Sequence, residues 1–167
     1  MALLVGCVPA GPAAVDDEFQ KLAAEYMRET GARPISSAEL ETRLKGREPV
    51  VLLDIREPHE HAVSALPGAI LVTPDTVSTR VLEFPAKATV VAYCTAGYRS
   101  GIASVELEKR LGRAVLNLEG GIIAWFNRGG LVVDPSEKPI DHVHPYGDAW
   151  QKYVRPRRAE AETRSHQ

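Results

Sequence analysis

Four short apolar runs punctuate the middle of the chain, at 50–55 (VVLLDI), 69–72, 89–93 and 114–118, each bounded by polar or turn-forming residues. Continuous runs of this length, rich in Val, Ile and Leu, suit strands buried on both faces of a parallel sheet. The stretches between them, 57–63, 76–84, 100–111 and 122–127, read as helices. Ahead of the first run, Ser36 and Glu39 form a capping box that opens a short helix through Leu40 and Leu44, closed by Gly46. Short buried strands alternating with helices predict an α/β fold: an open, mostly parallel sheet flanked by helices on both faces. In such sheets ligands bind beyond the carboxyl ends of the strands, on the strand-to-helix loops.

The pattern also divides the chain. Residues 1–34 form an N-terminal extension with one amphipathic helix, begun near Asp16 or Asp17 and ended by Gly31. Its stripe of Phe19, Leu22, Ala23, Tyr26 and Met27 suits packing on the core. Residues 35–133 form the principal domain. Residues 134–167 form a C-terminal extension. In it the segment from His142 to Trp150 carries enough apolar and aromatic residues to pack back on the domain, and the last part is read as disordered. From Gln151 onward five Lys/Arg face two Asp/Glu, the composition of a solvated end. At the other end Leu4-Val5-Gly6-Cys7 is similar to a bacterial lipobox. Lipidation at Cys7 would require a translation start upstream of Met1, and the alternative is a frayed end in a cytoplasmic protein.

Composition narrows the function classes. The 167 residues carry 20 Lys/Arg against 22 Asp/Glu, a formal net charge of −2, which argues against a partner recognised through a nucleic-acid backbone. No run approaches the ~18 apolar residues of a membrane-spanning helix. The two cysteines, Cys7 and Cys94, are too far apart in sequence to read as a disulfide framework. His142 and His144 are two imidazoles without the third or fourth ligand zinc usually needs. A surface or packing role is expected for them, and neither a metal nor a cofactor is expected anywhere.

One loop carries candidate chemistry. The strand at 89–93 runs directly into Cys94-Thr95-Ala96-Gly97-Tyr98-Arg99, and Ser100 begins a helix. A cysteine at this junction lies over backbone N–H groups the helix leaves unpaired, and the helix dipole adds roughly half a positive charge there. Both favour the thiolate, which is the nucleophile. Gly97 permits the tight turn that aims successive N–H groups inward as an anion nest, and Arg99 adds a fixed charge. The competing reading is an inert buried cysteine, since free cysteine is among the most buried residue types. Asp54 and Arg56, just after the strand at 50–55, are expected to project toward the same crevice.

These residues resemble the single-domain rhodanese-type sulfurtransferases over roughly 35–133. The likeness rests on Leu53-Asp54-Ile55-Arg56-Glu57-Pro58 with Glu60, on Leu66-Pro67-Gly68-Ala69, and on Tyr93-Cys94-Thr95-Ala96-Gly97-Tyr98-Arg99-Ser100. Asn117-Leu118-Glu119-Gly120-Gly121-Ile122 with Ala124-Trp125 completes it. Ala65 stands where the family usually has His, in a segment that reads as structural. The resemblance implies a rhodanese-like fold and a two-step transfer. Cys94 takes a sulfane sulfur from thiosulfate or a persulfide donor, becomes a persulfide, and yields the sulfur to cyanide, a thiol or a protein acceptor. The N–H groups of Thr95, Ala96, Gly97, Tyr98, Arg99 and Ser100 would stabilise the anionic persulfide and the leaving sulfite. Asp54 and Arg56 would shape the pocket, Arg56 as an ion-pair partner of Glu60 or as a purely structural salt bridge. Gly120-Gly121 is read as close strand-to-helix packing, because neither phosphate-loop spacing is present, and Trp125 as core.

Three other functions compete. A phosphatase or arsenate reductase on the same fold would carry one more residue between cysteine and arginine than the four found here. A Cys-His protease lacks a motif linking any histidine to Cys94. A non-catalytic docking module would ordinarily lack the cysteine.

Overall fold

The computed structural model of the chain describes residues 12–157. The Leu4–Cys7 motif and the end of the C-terminal tail lie outside the described residues.

The element order is α1 (Pro12–Thr30), β1 (Arg33–Ile35), α2 (Ser37–Leu44), β2 (Val50–Asp54), α3 (Pro58–His61), β3 (Ile70–Leu71), β4 (Thr89–Tyr93), α4 (Tyr98–Leu111), β5 (Val115–Leu118), α5 (Gly121–Asn127) and α6 (Asp148–Gln151). The five strands form one parallel sheet in the order β1-β5-β4-β2-β3. Register sets Asp54 beside Tyr93 and Ala92 beside Asn117, so β2, β4 and β5 end nearly level. The loops that follow them therefore share one edge of the sheet.

Strand periodicity assigns neighbouring residues to opposite faces. On one face Leu52, Val91, Tyr93 and Leu118 pack with Leu40 of α2 and Ile122, Trp125 and Phe126 of α5. On the other, Leu53, Val90, Ala92 and Val115 pack with Ala103 and Leu107 of α4. The strands are apolar on both sides because helices cover both sides. Ser36 caps α2 by accepting the Glu39 N–H, one half of a capping box, while the Glu39 carboxylate pairs with Arg43.

The structure departs from the sequence-based elements in three places, the first being α1, which begins at Pro12, ahead of the expected Asp16 or Asp17. Residues 76–84 do not form a helix: a single 3₁₀ turn spans Pro74–Thr76, and irregular chain follows. Val77 is buried and Leu82 and Phe84 pack partly on the core, but Val81 is 81% exposed, so these apolar residues share no helical face. The edge strand β1 is the third departure. It buries only Ile35, which leaves no apolar run to read.

The two extensions meet each other across the carboxyl edge of the sheet. Helix α1 packs on α4, and the chain from Tyr153 to Arg157 runs back over α5. The Tyr153 hydroxyl donates to Glu18 at 2.6 Å, Arg155 pairs with Asp16, and the Phe19 and Tyr153 rings are 5.0 Å apart. Asn127 fixes this segment twice, donating to the Tyr153 carbonyl and accepting the Arg155 N–H. Among the described residues no helix is long and apolar enough to cross a membrane.

Helix α1 crosses α4 at Gly101, where an added Cβ would lie 2.5 Å from Thr30 Oγ1. Alanine is the better helix former by about 1 kcal/mol, but overpacking costs about 1–3 kcal/mol. The Gly101→Ala variant is therefore expected to be less stable than wild type in urea unfolding, with faster amide exchange in α1. A gain in stability would mean that α1 yields freely at this crossing.

Candidate functional site

Cys94 directly follows β4, and the chain from Cys94 to Gly97 turns into α4. The turn is held from behind. The Ile122 N–H donates to the Cys94 carbonyl at 2.9 Å, and the Ile123 N–H to the Thr95 carbonyl at 3.2 Å. Asn117 Nδ2 donates to the Gly97 carbonyl at 2.8 Å. Three carbonyls of the turn are thus bonded to β5 and to the start of α5. The close approach needs glycine at 121: a Cβ there would sit 2.3 Å from the Cys94 carbonyl oxygen, at φ +55°. Gly97 takes φ +103°, the left-handed turn that starts α4.

With these three carbonyls bound elsewhere, the turn presents the Gly97 N–H to the sulfur. The Gly97 N–H donates to Cys94 Sγ at 3.2 Å. Those of Tyr98, Arg99 and Ser100 lie in the first turn of α4, where no intrahelical acceptor exists. Cys94 is 2% exposed and is reached through a cavity of about 170 Å³ lined by Tyr26, Thr95, Ala96, Tyr98, Arg99, Tyr146 and Trp150. Gly97 and Ser100 are within the turn but do not line the cavity, and the buried Ser100 hydroxyl has no partner among the described residues.

Two buried carboxylates divide the arginines. Glu60 binds Arg99 through two hydrogen bonds of 2.7 and 2.8 Å, and Thr95 donates its hydroxyl to Glu60 at 2.9 Å. Burial opposes ionisation of Glu60, yet Arg99, the Glu57 backbone N–H and Thr95 hold its pKa below the ordinary value. Burial likewise opposes the Arg99 charge, and Glu60 together with the nearby Cys94 more than compensates, holding its pKa above the usual range. Glu60 also closes a capping box with Glu57 at the start of α3.

Asp54 and Arg56, expected to project toward the crevice, are fully enclosed and bond each other through both carboxylate oxygens at 2.9 and 2.6 Å. Burial opposes the Asp54 charge, but bonds from His61, Arg56 and Tyr93 keep its pKa lowered. Burial and the Asp54 charge push the Tyr93 hydroxyl well up. This cluster lies outside the cavity lining and supports the turn through Tyr93, the residue before Cys94.

The reading from sequence brought the loop residues together but gave Glu60 to Arg56; its partner is Arg99, 39 positions away. It placed Tyr26 in the core and Tyr146 and Trp150 in a packed extension, whereas all three line the cavity. His144 accepts the Tyr146 N–H at Nδ1, His142 pairs with Asp141, and His61 bonds Asp54. Trp125 is buried in the core.

A family model described as Rhodanese-like domain matches residues 36–128. A sulfurtransferase of Allochromatium vinosum is 41% identical over 101 residues, covering 60% of this chain and 94% of that protein. A rhodanese-related protein of Thermoplasma volcanium superposes with a TM-score of 0.52 at 31% identity, over 60% of this chain and 97% of its own. A thiosulfate sulfurtransferase of Pseudomonas aeruginosa superposes with a TM-score of 0.57 at 24% identity, over 70% of this chain and 23% of its own, a likeness of fold.

The Glu60–Arg99 pair should show itself in the pH dependence of stability. A carboxylate whose folded pKa is lowered adds stability that is complete above its unfolded value of about 4.3 and is lost as pH falls through the lower folded value. Glu60→Gln is expected to cost about 1–3 kcal/mol at neutral pH, discounted because Arg99 remains partly solvated. The gap from wild type should narrow as pH falls below about 4, where protonated Glu60 is as neutral as glutamine. Urea unfolding of both proteins across this range checks it. A gap that does not change with pH would assign the cost to shape and not to charge.

Proposed function

The chain belongs to the rhodanese-like domain family, and on that premise we propose that it is a sulfurtransferase working through a persulfide on Cys94. The observation that carries this reading is the turn itself: a cysteine sulfur that accepts a backbone N–H and stands at the start of α4, within a turn whose carbonyls are bonded elsewhere.

In the first step the Cys94 sulfur, as thiolate, attacks the outer sulfur of the donor. A new S–S bond forms at Sγ, the donor's own S–S bond breaks, and the leaving group departs with the electron pair; with thiosulfate that group is sulfite. The product is an anionic persulfide, Cys94–S–S⁻. Backbone donors of the turn and the N-terminus of α4 stabilise negative charge on it without reorganising. In the second step a thiolate or cyanide attacks the outer sulfur, the S–S bond to Sγ breaks, and Cys94 returns as thiolate. The partners in this proposal are a small sulfur-donor anion and a thiol or protein acceptor. Arg99 holds the loop through Glu60 and Thr95 and adds positive potential beside the sulfur. The buried Asp54–Arg56 pair shapes the pocket from below. A cytoplasmic location belongs to the same proposal, since the reaction needs Cys94 as a free thiol and a reducing compartment maintains it.

The experiment is turnover of thiosulfate with cyanide, set against hydrolysis of an aryl phosphate under identical conditions. Wild type is expected to use thiosulfate and not the phosphate ester, because only four residues separate Cys94 from Arg99 and the ring of donors closes on one sulfur. Cys94→Ser should fall to about one thousandth of wild-type turnover or less with the folded state intact by circular dichroism. Comparable turnover in the serine variant, or better use of the aryl phosphate, would overturn the assignment.

A further inference from the structure

The segments outside the family match supply three of the seven residues that line the cavity with Cys94. Tyr26 comes from α1, Tyr146 and Trp150 from the C-terminal segment, and all three lie beyond residues 36–128. With Tyr98 of α4 they line the cavity with four aromatic side chains. The Tyr26 and Tyr98 rings are 5.0 Å apart, and Tyr26 and Trp150 are 6.4 Å apart. Tyr146 covers Arg99, whose guanidinium carbon stands 4.6 Å from its ring centroid. Tyr146 takes φ +71°, uncommon for a non-glycine residue, and its N–H donates to His144 Nδ1 at 3.0 Å. Its ring is 54% exposed and keeps one face on Arg99.

Charge is distributed to match. Among the described side chains lining the cavity Arg99 is the one basic group and none is a carboxylate; Glu60 neutralises Arg99 through two bonds while Thr95 accepts a third. A doubly charged anion entering here would give up water against an arginine already paired, which is costly in a partly dry site. A singly charged anion bearing an apolar or aromatic group would lose less and would bury that group on the rings. The cavity of about 170 Å³ has room for about six waters at ~30 Å³ each, enough for one small organic group.

We propose that Tyr26, Tyr146 and Trp150 are specificity-determining residues that make the Cys94 site prefer a sulfane sulfur carried on a small apolar or aromatic group with one negative charge over inorganic thiosulfate. The proposal rests on the sulfurtransferase reading and refines its donor. With an aryl thiosulfonate the first step is balanced: Sγ bonds to the terminal sulfur, the S–S bond to the sulfonyl group breaks, and the sulfinate leaves with the electron pair. One negative charge enters on the donor and one leaves on the sulfinate.

The test compares kcat/KM for benzenethiosulfonate and for thiosulfate, with cyanide as acceptor, in wild type, Tyr146→Ala, Tyr146→Phe and Trp150→Ala. Wild type is expected to favour benzenethiosulfonate by about tenfold or more. Tyr146→Ala and Trp150→Ala should each lower that ratio by about three- to tenfold, while Tyr146→Phe, which keeps the ring, should hold it. A wild-type preference for thiosulfate, or a ratio that neither alanine variant moves, would overturn this proposal while leaving sulfur transfer standing. Turnover of neither donor by wild type would overturn both.

Discussion

The carbonyl oxygens of Cys94 and Thr95 are claimed by the N–H groups of Ile122 and Ile123, and the site follows from that arrangement. It ties the loop after β4 to the loop after β5, so it depends on the two strands being neighbours in the sheet. It needs Gly121, because any side chain there would collide with the Cys94 carbonyl. With Asn117 holding the Gly97 carbonyl as well, three carbonyls of the turn point away from the cysteine, and the Gly97 N–H bonds the sulfur. A backbone that would otherwise be ambivalent toward an anion is made to favour one.

Side-chain charge is arranged around that backbone. Asp54 neutralises Arg56 below the loop, and Glu60 neutralises Arg99 beside it. Each pair is a buried carboxylate with a bidentate or two-point guanidinium, a geometry that offsets the cost of taking both charges from water. The outcome is a site whose positive potential comes chiefly from peptide groups and a helix terminus, with its arginine already spent. Our proposal is that such a site distinguishes ligands by shape and polarisability more than by total charge, through the aromatic residues above the sulfur.

Much of this was legible in the sequence where the signal is local. Strands β2, β4 and β5 announce themselves as apolar runs because both faces are covered, and the loop from Cys94 to Ser100 reads as a site because its residues are contiguous. Pairings between distant positions were not legible. Glu60 lies closer in sequence to Arg56 than to Arg99, and nothing in its neighbourhood indicates that a parallel strand and a turn will carry it to the latter. Strand β1 buries one residue and leaves no run, and the apolar residues of 76–84 imitate a helix while packing from an irregular segment. Tyr26 sits in a helical stripe in which Phe19, Ala23 and Met27 are buried and Leu22 partly so, so periodicity assigned it to the core. Its contact with Tyr98 and Trp150 arises only once both extensions have folded over the same loop.

The most direct test of the persulfide mechanism is the intact mass of the protein after brief exposure to a sulfane-sulfur donor without acceptor. A covalent intermediate on Cys94 predicts the gain of one sulfur atom, absent from Cys94→Ser and reversed by addition of cyanide or a thiol. An unchanged mass under conditions of active turnover, or a gain that survives in the serine variant, would contradict it.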